Sequence, residues 1–136
     1  MSAPDEPTPD QRDDADIAEL AGRLFDMARG GHTAQLVEYV RAGVPANLTT
    51  GTGDTLVMLA AYHGHAATVA ALVGLGAEVD RANDKNQTPL AGAVFKGHDD
   101  VVETLVAAGA DPDAGTPTAR DAAAMFGRDD YTARWR

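Results

Sequence analysis

The stretch "TPLAGAVFKGHDDVVETLVAAGADPD", residues 88–113, decides the fold. Thr88 suits a helix N-cap, because its hydroxyl can accept a hydrogen bond from a free backbone N–H. Pro89 suits the first helical position, where its missing N–H costs nothing. A short helix then runs to Gly97, which can adopt the left-handed cap. After His98, a second helix carries Val101, Val102, Leu105 and Val106, the i, i+1, i+4, i+5 stripe of a buried face. Gly109 ends it. "ADPDAGTP" leads onward through an extended, turn-rich finger. The unit is helix, turn, helix, finger.

The same unit recurs upstream. Gly-His occurs at 31–32, 64–65 and 97–98, a step of 33 both times. Gly43, Gly76 and Gly109 keep that step, as do Leu36, Val69 and Val102. Further columns are Tyr39, Leu72, Leu105; Val40, Val73, Val106; Leu24, Val57, Leu90; and Met27, Ala60, Ala93. Asn47, Asp80 and Asp113 align as short polar residues. Isolated helices below about 12 residues are marginal, and one unit cannot hide its own apolar face. Stacked units can, so the chain must be a one-dimensional array held by neighbour contacts.

These residues resemble the ankyrin repeat. "TLVMLAAYHGH" with "GLGAEVD", and "TPLAGAVFKGH" with "AAGADPD", are similar to that family's Thr-Pro-Leu-His opening, Ala-Ala pair, Gly-His turn and Gly-Ala ending. The likeness covers roughly residues 16–130, and the chain looks like one of the short bacterial ankyrin-repeat proteins. It implies an all-α solenoid of helix-turn-helix pairs with hairpin-like finger loops. The chain departs from the family pattern in two ways. Met58, Ala91 and Asp121 replace the first-helix histidine, and Leu56 replaces the proline.

The domain organisation follows from the register. Residues 1–13 read as an acidic, Pro-rich disordered arm, and residues 14–136 as the repeat domain. Its units are approximately 14–49, 50–82, 83–115 and a partial C-terminal cap at 116–136. The opening helix is expected to start near Asp14 or Asp16, with Ile17, Leu20, Leu24 and Met27 or Ala28 inward and Glu19, Arg23 and Asp26 in water. At the other end, Trp135 falls in the column of Leu72 and Leu105. It is expected to fold over the last open face with Tyr131 one turn earlier.

Composition narrows the function. The net charge is −10, and residues 1–16 carry six acids against Arg12, the mark of a solvated tail. The eleven Lys and Arg residues are scattered, which argues against nucleic acid. There is no cysteine, and Ser2 is the only serine, so thiol or serine nucleophilic chemistry has no starting point. No apolar run reaches the roughly 18 residues of a membrane span, and the N-terminus lacks a signal-peptide pattern. The expectation is a cytoplasmic monomer with no cofactor, no metal and no catalysis. The glycines of "GTGDTL" at 51–56 are not a phosphate loop: no Lys-Ser/Thr follows them, and a helix rather than a strand precedes them. Gly53 is in register with Asn86 at the finger tip, and both Gly51 and Gly53 are expected to permit positive φ. Three of the four histidines follow a repeat glycine, which gives them a structural role in the turn. His63 does not.

What remains is a binding surface. In the family, partners touch the finger tips and the two residues before the Gly-His turn. The resemblance therefore implies contacts at Gly51, Thr52, Asp54, Tyr62 and His63 in the second unit, at Asp84, Lys85, Gln87, Phe95 and Lys96 in the third, and at Met125 and Phe126 in the fourth. Tyr62, Phe95 and Phe126 fall at or beside equivalent places, and aromatic residues are enriched in binding hot spots. The function implied is a scaffold or adaptor binding a protein partner. The alternative is an inhibitor or stress-related effector acting on a partner enzyme, which a fall in that enzyme's rate would reveal.

Overall fold

A computed structural model describes the backbone of residues 9–135 and the side chains of residues 16–135. Eight helices follow in order: α1 Pro9–Gly30, α2 Thr33–Arg41, α3 Leu56–Tyr62, α4 Ala66–Gly74, α5 Pro89–Lys96, α6 Asp99–Ala107, α7 Ala119–Met125 and α8 Asp129–Arg134. They form two layers. The first helices of the units, α1, α3, α5 and α7, pack side by side, and α2, α4 and α6 line up behind them.

The helices begin where residue chemistry places them. Thr55, Thr88 and Thr118 are extended N-caps whose hydroxyls accept from the N–H of Met58, Ala91 and Asp121. These three residues open successive, equivalent helices, as the repeat register requires. Gly97 closes α5 in the left-handed region at φ 74°. The aligned apolar columns are the core. Leu24, Leu36, Val57, Val69, Leu72, Leu90, Val102 and Leu105 are all buried. Tyr39, Val40, Val73 and Val106 pack half-buried against them.

The first helix opens earlier than expected. α1 starts at Pro9 rather than near Asp14, consistent with the preference of proline for the first helical turn. Residues 1–8 of the expected arm lie outside the described residues. Leu24 and Ala28 are buried, but Ile17 is 65% exposed instead of facing inward. α1 has 22 residues and its neighbour α3 only 7, so at about 1.5 Å per residue its opening turns overshoot the helix that would cover them.

The repeated Gly-His pair links each unit to the one before. His65 Nε2 lies 2.7 Å from the Arg29 carbonyl, and His98 Nε2 lies 3.1 Å from the equivalent Tyr62 carbonyl. The glycine makes room for the next unit's imidazole. A Cβ on Gly31 would fall 2.6 Å from the His65 ring, and one on Gly64 would fall 3.0 Å from the His98 ring. Gly97 meets nothing, because Arg128 stands where the next histidine would be. Arg128 turns instead to Asp99 and Asp130, both at 2.9 Å. This predicts a difference between two similar glycines. Gly97→Ala should cost about 1–2 kcal/mol for a left-handed alanine. Gly64→Ala, at φ 83°, should lose more, because it also displaces His98. Chemical denaturation of the two variants measures the gap.

Candidate functional site

The fingers are short hairpins built by their own polar residues. In the second unit, Gly53 N–H donates to the Thr50 carbonyl and Thr50 N–H donates to the Asp54 carbonyl. In the third, Asn86 N–H donates to the Asn83 carbonyl and Asn83 N–H donates to the Gln87 carbonyl. Each is a four-residue turn whose closing residue is left-handed, Gly53 at φ 83° and Asn86 at φ 60°. The register between Gly53 and Asn86 therefore holds. Gly51 does not take positive φ, because it occupies the second place of the turn, where ordinary backbone serves.

Successive fingers are joined edge to edge. Asp84 N–H donates to the Thr52 carbonyl at 3.0 Å, and Thr116 N–H donates to the Asn86 carbonyl at 2.9 Å. Asn83 ties the two faces of the contact: its side-chain amide donates to Asp54 Oδ1 and Gln87 Oε1, each at 2.8 Å. Its oxygen accepts from the N–H of Lys85 and Gln87. Thr52 Oγ1 donates to Asp54 Oδ2 at 3.0 Å. A Cβ on Gly53 would sit 2.6 Å from Asp84 Oδ1 and 3.1 Å from the Asp84 backbone nitrogen, so glycine eases this approach as well as the left-handed turn.

The first helices contribute the apolar part. Tyr62, Phe95, Met125 and Phe126 are 39–69% exposed. Phe126, although one place off the aromatic column, is exposed and meets Phe95 edge to face, with ring centres 5.4 Å apart. Tyr62 meets the His63 ring at 5.9 Å, and the Lys96 ammonium lies 4.9 Å from the centre of the Tyr62 ring. Partial desolvation, and after it the positive neighbours His65, Arg29, Lys96 and His98, hold the His63 imidazole below its ordinary pKa.

Two hollows open between these residues. One of about 300 Å³ is lined by Thr52, Asp54, Met58, Tyr62, Lys85 and Gln87, among others. A second, of about 150 Å³, lies between Tyr62 and Phe95 and is floored by Met58, Ala91, Gly92 and Ala122. Of the residues named from the sequence, Thr52, Asp54, Tyr62, Lys85, Gln87 and Phe95 line these hollows. His63, Lys96 and Phe126 touch Tyr62 or Phe95. Gly51, Asp84 and Met125 are exposed and stand outside both hollows.

The floor was not foreseen, although one signal for it exists. Gly92 is a glycine inside a helix, which costs about 0.5–1 kcal/mol against alanine. Its missing side chain leaves space beside Tyr62 Cδ2 and Met58 Cε, 3.4 and 3.6 Å from where a Cβ would be. Those are ordinary contacts, so Gly92→Ala should stabilise the array by about 0.5–1 kcal/mol while narrowing the hollow. A denaturation midpoint that falls would contradict this.

A family model for ankyrin repeats, in three copies, matches residues 24–116. The chain belongs to the ankyrin-repeat family. It is similar to an ankyrin repeat protein of Pseudomonas aeruginosa, with 42% identity over 59 residues, or 43% of this chain and 33% of that one. Its structure is similar to the human ASB11 ankyrin repeat domain, with a TM-score of 0.62 and 30% identity over 65% of this chain and 40% of that one. The matched stretches thus span well under two thirds of either relative. Ankyrin repeats generally serve as protein–protein interaction modules. Among the described residues, no helix is long and apolar enough to cross a membrane.

Proposed function

We propose that this ankyrin array is a non-catalytic scaffold or adaptor that holds one protein partner on its finger and first-helix face. The observation that carries the reading is the exposure of Tyr62, Phe95, Met125 and Phe126 along one set of stacked helices. Scattered exposed aromatics are common, but here Tyr62 and Phe95 wall a hollow whose floor is opened by a helical glycine. The fingers beside it are closed and joined by backbone hydrogen bonds, which lowers the ordering entropy that binding must overcome.

The test is capture of partners by the tagged chain from cells of its own organism, with identification by mass spectrometry. Tyr62→Ala combined with Phe95→Ala should abolish capture and leave the helical circular dichroism unchanged. Each lost hot-spot residue should weaken binding by about 2 kcal/mol or more. Undiminished capture by the double variant would reject the face.

A further inference from the structure

The joints between units are not alike. His65 reaches the Arg29 carbonyl and His98 the Tyr62 carbonyl, each through a ring nitrogen. A second set uses short polar side chains: Asn47 Oδ1 accepts from the Glu78 N–H at 2.8 Å, and Asp80 Oδ1 from the Asp111 N–H at 2.9 Å. Both sets keep the repeat step, and at the last unit an arginine takes over both. Arg128 stands in the histidine's place and pairs with Asp99 of α6 and Asp130 of α8, both at 2.9 Å. Asp113, next in the column of Asn47 and Asp80, pairs with Arg120 at 2.7 Å, and Arg120 also donates to the Trp135 carbonyl.

Charge also ties α8 to α6. The Tyr131 hydroxyl donates to the same Asp99 oxygen that Arg128 holds, and Arg134 pairs with Glu103. These pairs stand open to water, with the Asp99 and Glu103 side chains 60% and 59% exposed, so dissolved ions screen them. A hydrogen bond between an imidazole and a carbonyl feels that screening much less. α8 has only 6 residues, too few to hold alone. It packs chiefly on α7, whereas α4 packs on α2, α3 and α6 together. Its buried anchors are Tyr131 and Trp135.

We infer that α8 is an ionic latch: residues 128–135 open and close as a unit while the inner units stay folded, and ionic strength, acting on the Arg128–Asp99 and Arg134–Glu103 pairs, sets how much of the latch is closed. Local opening draws on the least supported element of a fold, and here that element is held to its neighbour by exposed charge. Opening lifts the Trp135 indole off Tyr131 and uncovers the flank of α7 beneath. The inner joints carry no such pairs, so α4 and α6 keep their protection when salt is added.

The experiment is hydrogen–deuterium exchange of the full chain at neutral pH, in about 0.02 M and about 0.5 M sodium chloride. Exchange over residues 128–135 should speed up about fivefold at the higher salt, and exchange in α4 and α6 by less than about twofold. Asp99→Asn should exchange over 128–135 at low salt as fast as the unaltered chain does at high salt, and should lose most of the salt response. Arg128→His puts a neutral ring in register with the Phe95 carbonyl and the space beside Gly97, and should lose most of the response while staying closed. A salt response over 128–135 no larger than in α4 and α6 would overturn the inference, as would an undiminished response in either variant. Exchange of 128–135 in step with α4 and α6 at both salt concentrations would overturn it too, because α8 would then open only with the whole array.

Discussion

Leu72→Ala or Leu105→Ala should each lower stability by about 2–5 kcal/mol, the range for a buried leucine cut to alanine. Both residues are completely buried, and both hold the same place in successive units. α4 and α6 have 9 residues each, below the length at which a helix holds alone. Their stability comes from the stack, so a cavity at Leu72 weakens α4 and its contacts with α2 and α6 together. Small arrays have few interfaces to share such a loss, and the expected outcome is unfolding of a large part of the stack rather than a local adjustment. Denaturant melts followed by circular dichroism measure it. A midpoint unmoved by either substitution would mean that the apolar columns have been misassigned.

Trp135→Ala should cost about 3–5 kcal/mol, the range for large aromatic residues removed from a core. Trp135 is 7% exposed and stacks on the buried Tyr131, with ring centres 5.5 Å apart and planes 14° from parallel. Arg120 donates to the Trp135 carbonyl, and the Tyr131 hydroxyl donates to Asp99 of the preceding unit. Removing the indole uncovers Tyr131 and the apolar side of α7. Thermal melting and the near-ultraviolet signal of Tyr131 should both report the loss, and an unchanged melting temperature would remove the capping role. The same cluster gives a dependence on pH. Burial, and after it the Asp99 hydrogen bond, push the Tyr131 phenol up to about 12. The folded state therefore favours the neutral phenol. Its contribution is complete below the ordinary tyrosine pKa near 10 and is lost as pH rises toward 12.

The aromatic strip was legible only in part. Position in the repeat marked Tyr62, Phe95 and Phe126 as candidates, because the turn glycine fixes which residues precede it. Whether Phe126 turned inward was a question of side-chain direction across a one-residue offset, and no periodicity answers that. The floor of the hollow at Met58, Ala91 and Gly92 was hidden for a related reason. These residues belong to the apolar helices α3 and α5 that also supply the core, and only the spacing between neighbouring helices decides which face stays open. The exposure of Ile17 has the same cause, since it depends on where α3 starts relative to α1.

The sequence by itself determined the period, the starts of α3, α5 and α7, the left-handed Gly53 and the buried columns. All of these are local chemistry multiplied by a fixed step: a threonine that caps, a glycine that turns, an aliphatic residue that must leave water. Tertiary structure alone decided what the units do to one another. It set His98 in the space left by Gly64 and joined the fingers through the Asp84 N–H. It also put Lys96 over Tyr62 and opened a hollow above Gly92. Those relations join residues about one repeat apart, and their distances are fixed by packing between units, which no single unit encodes.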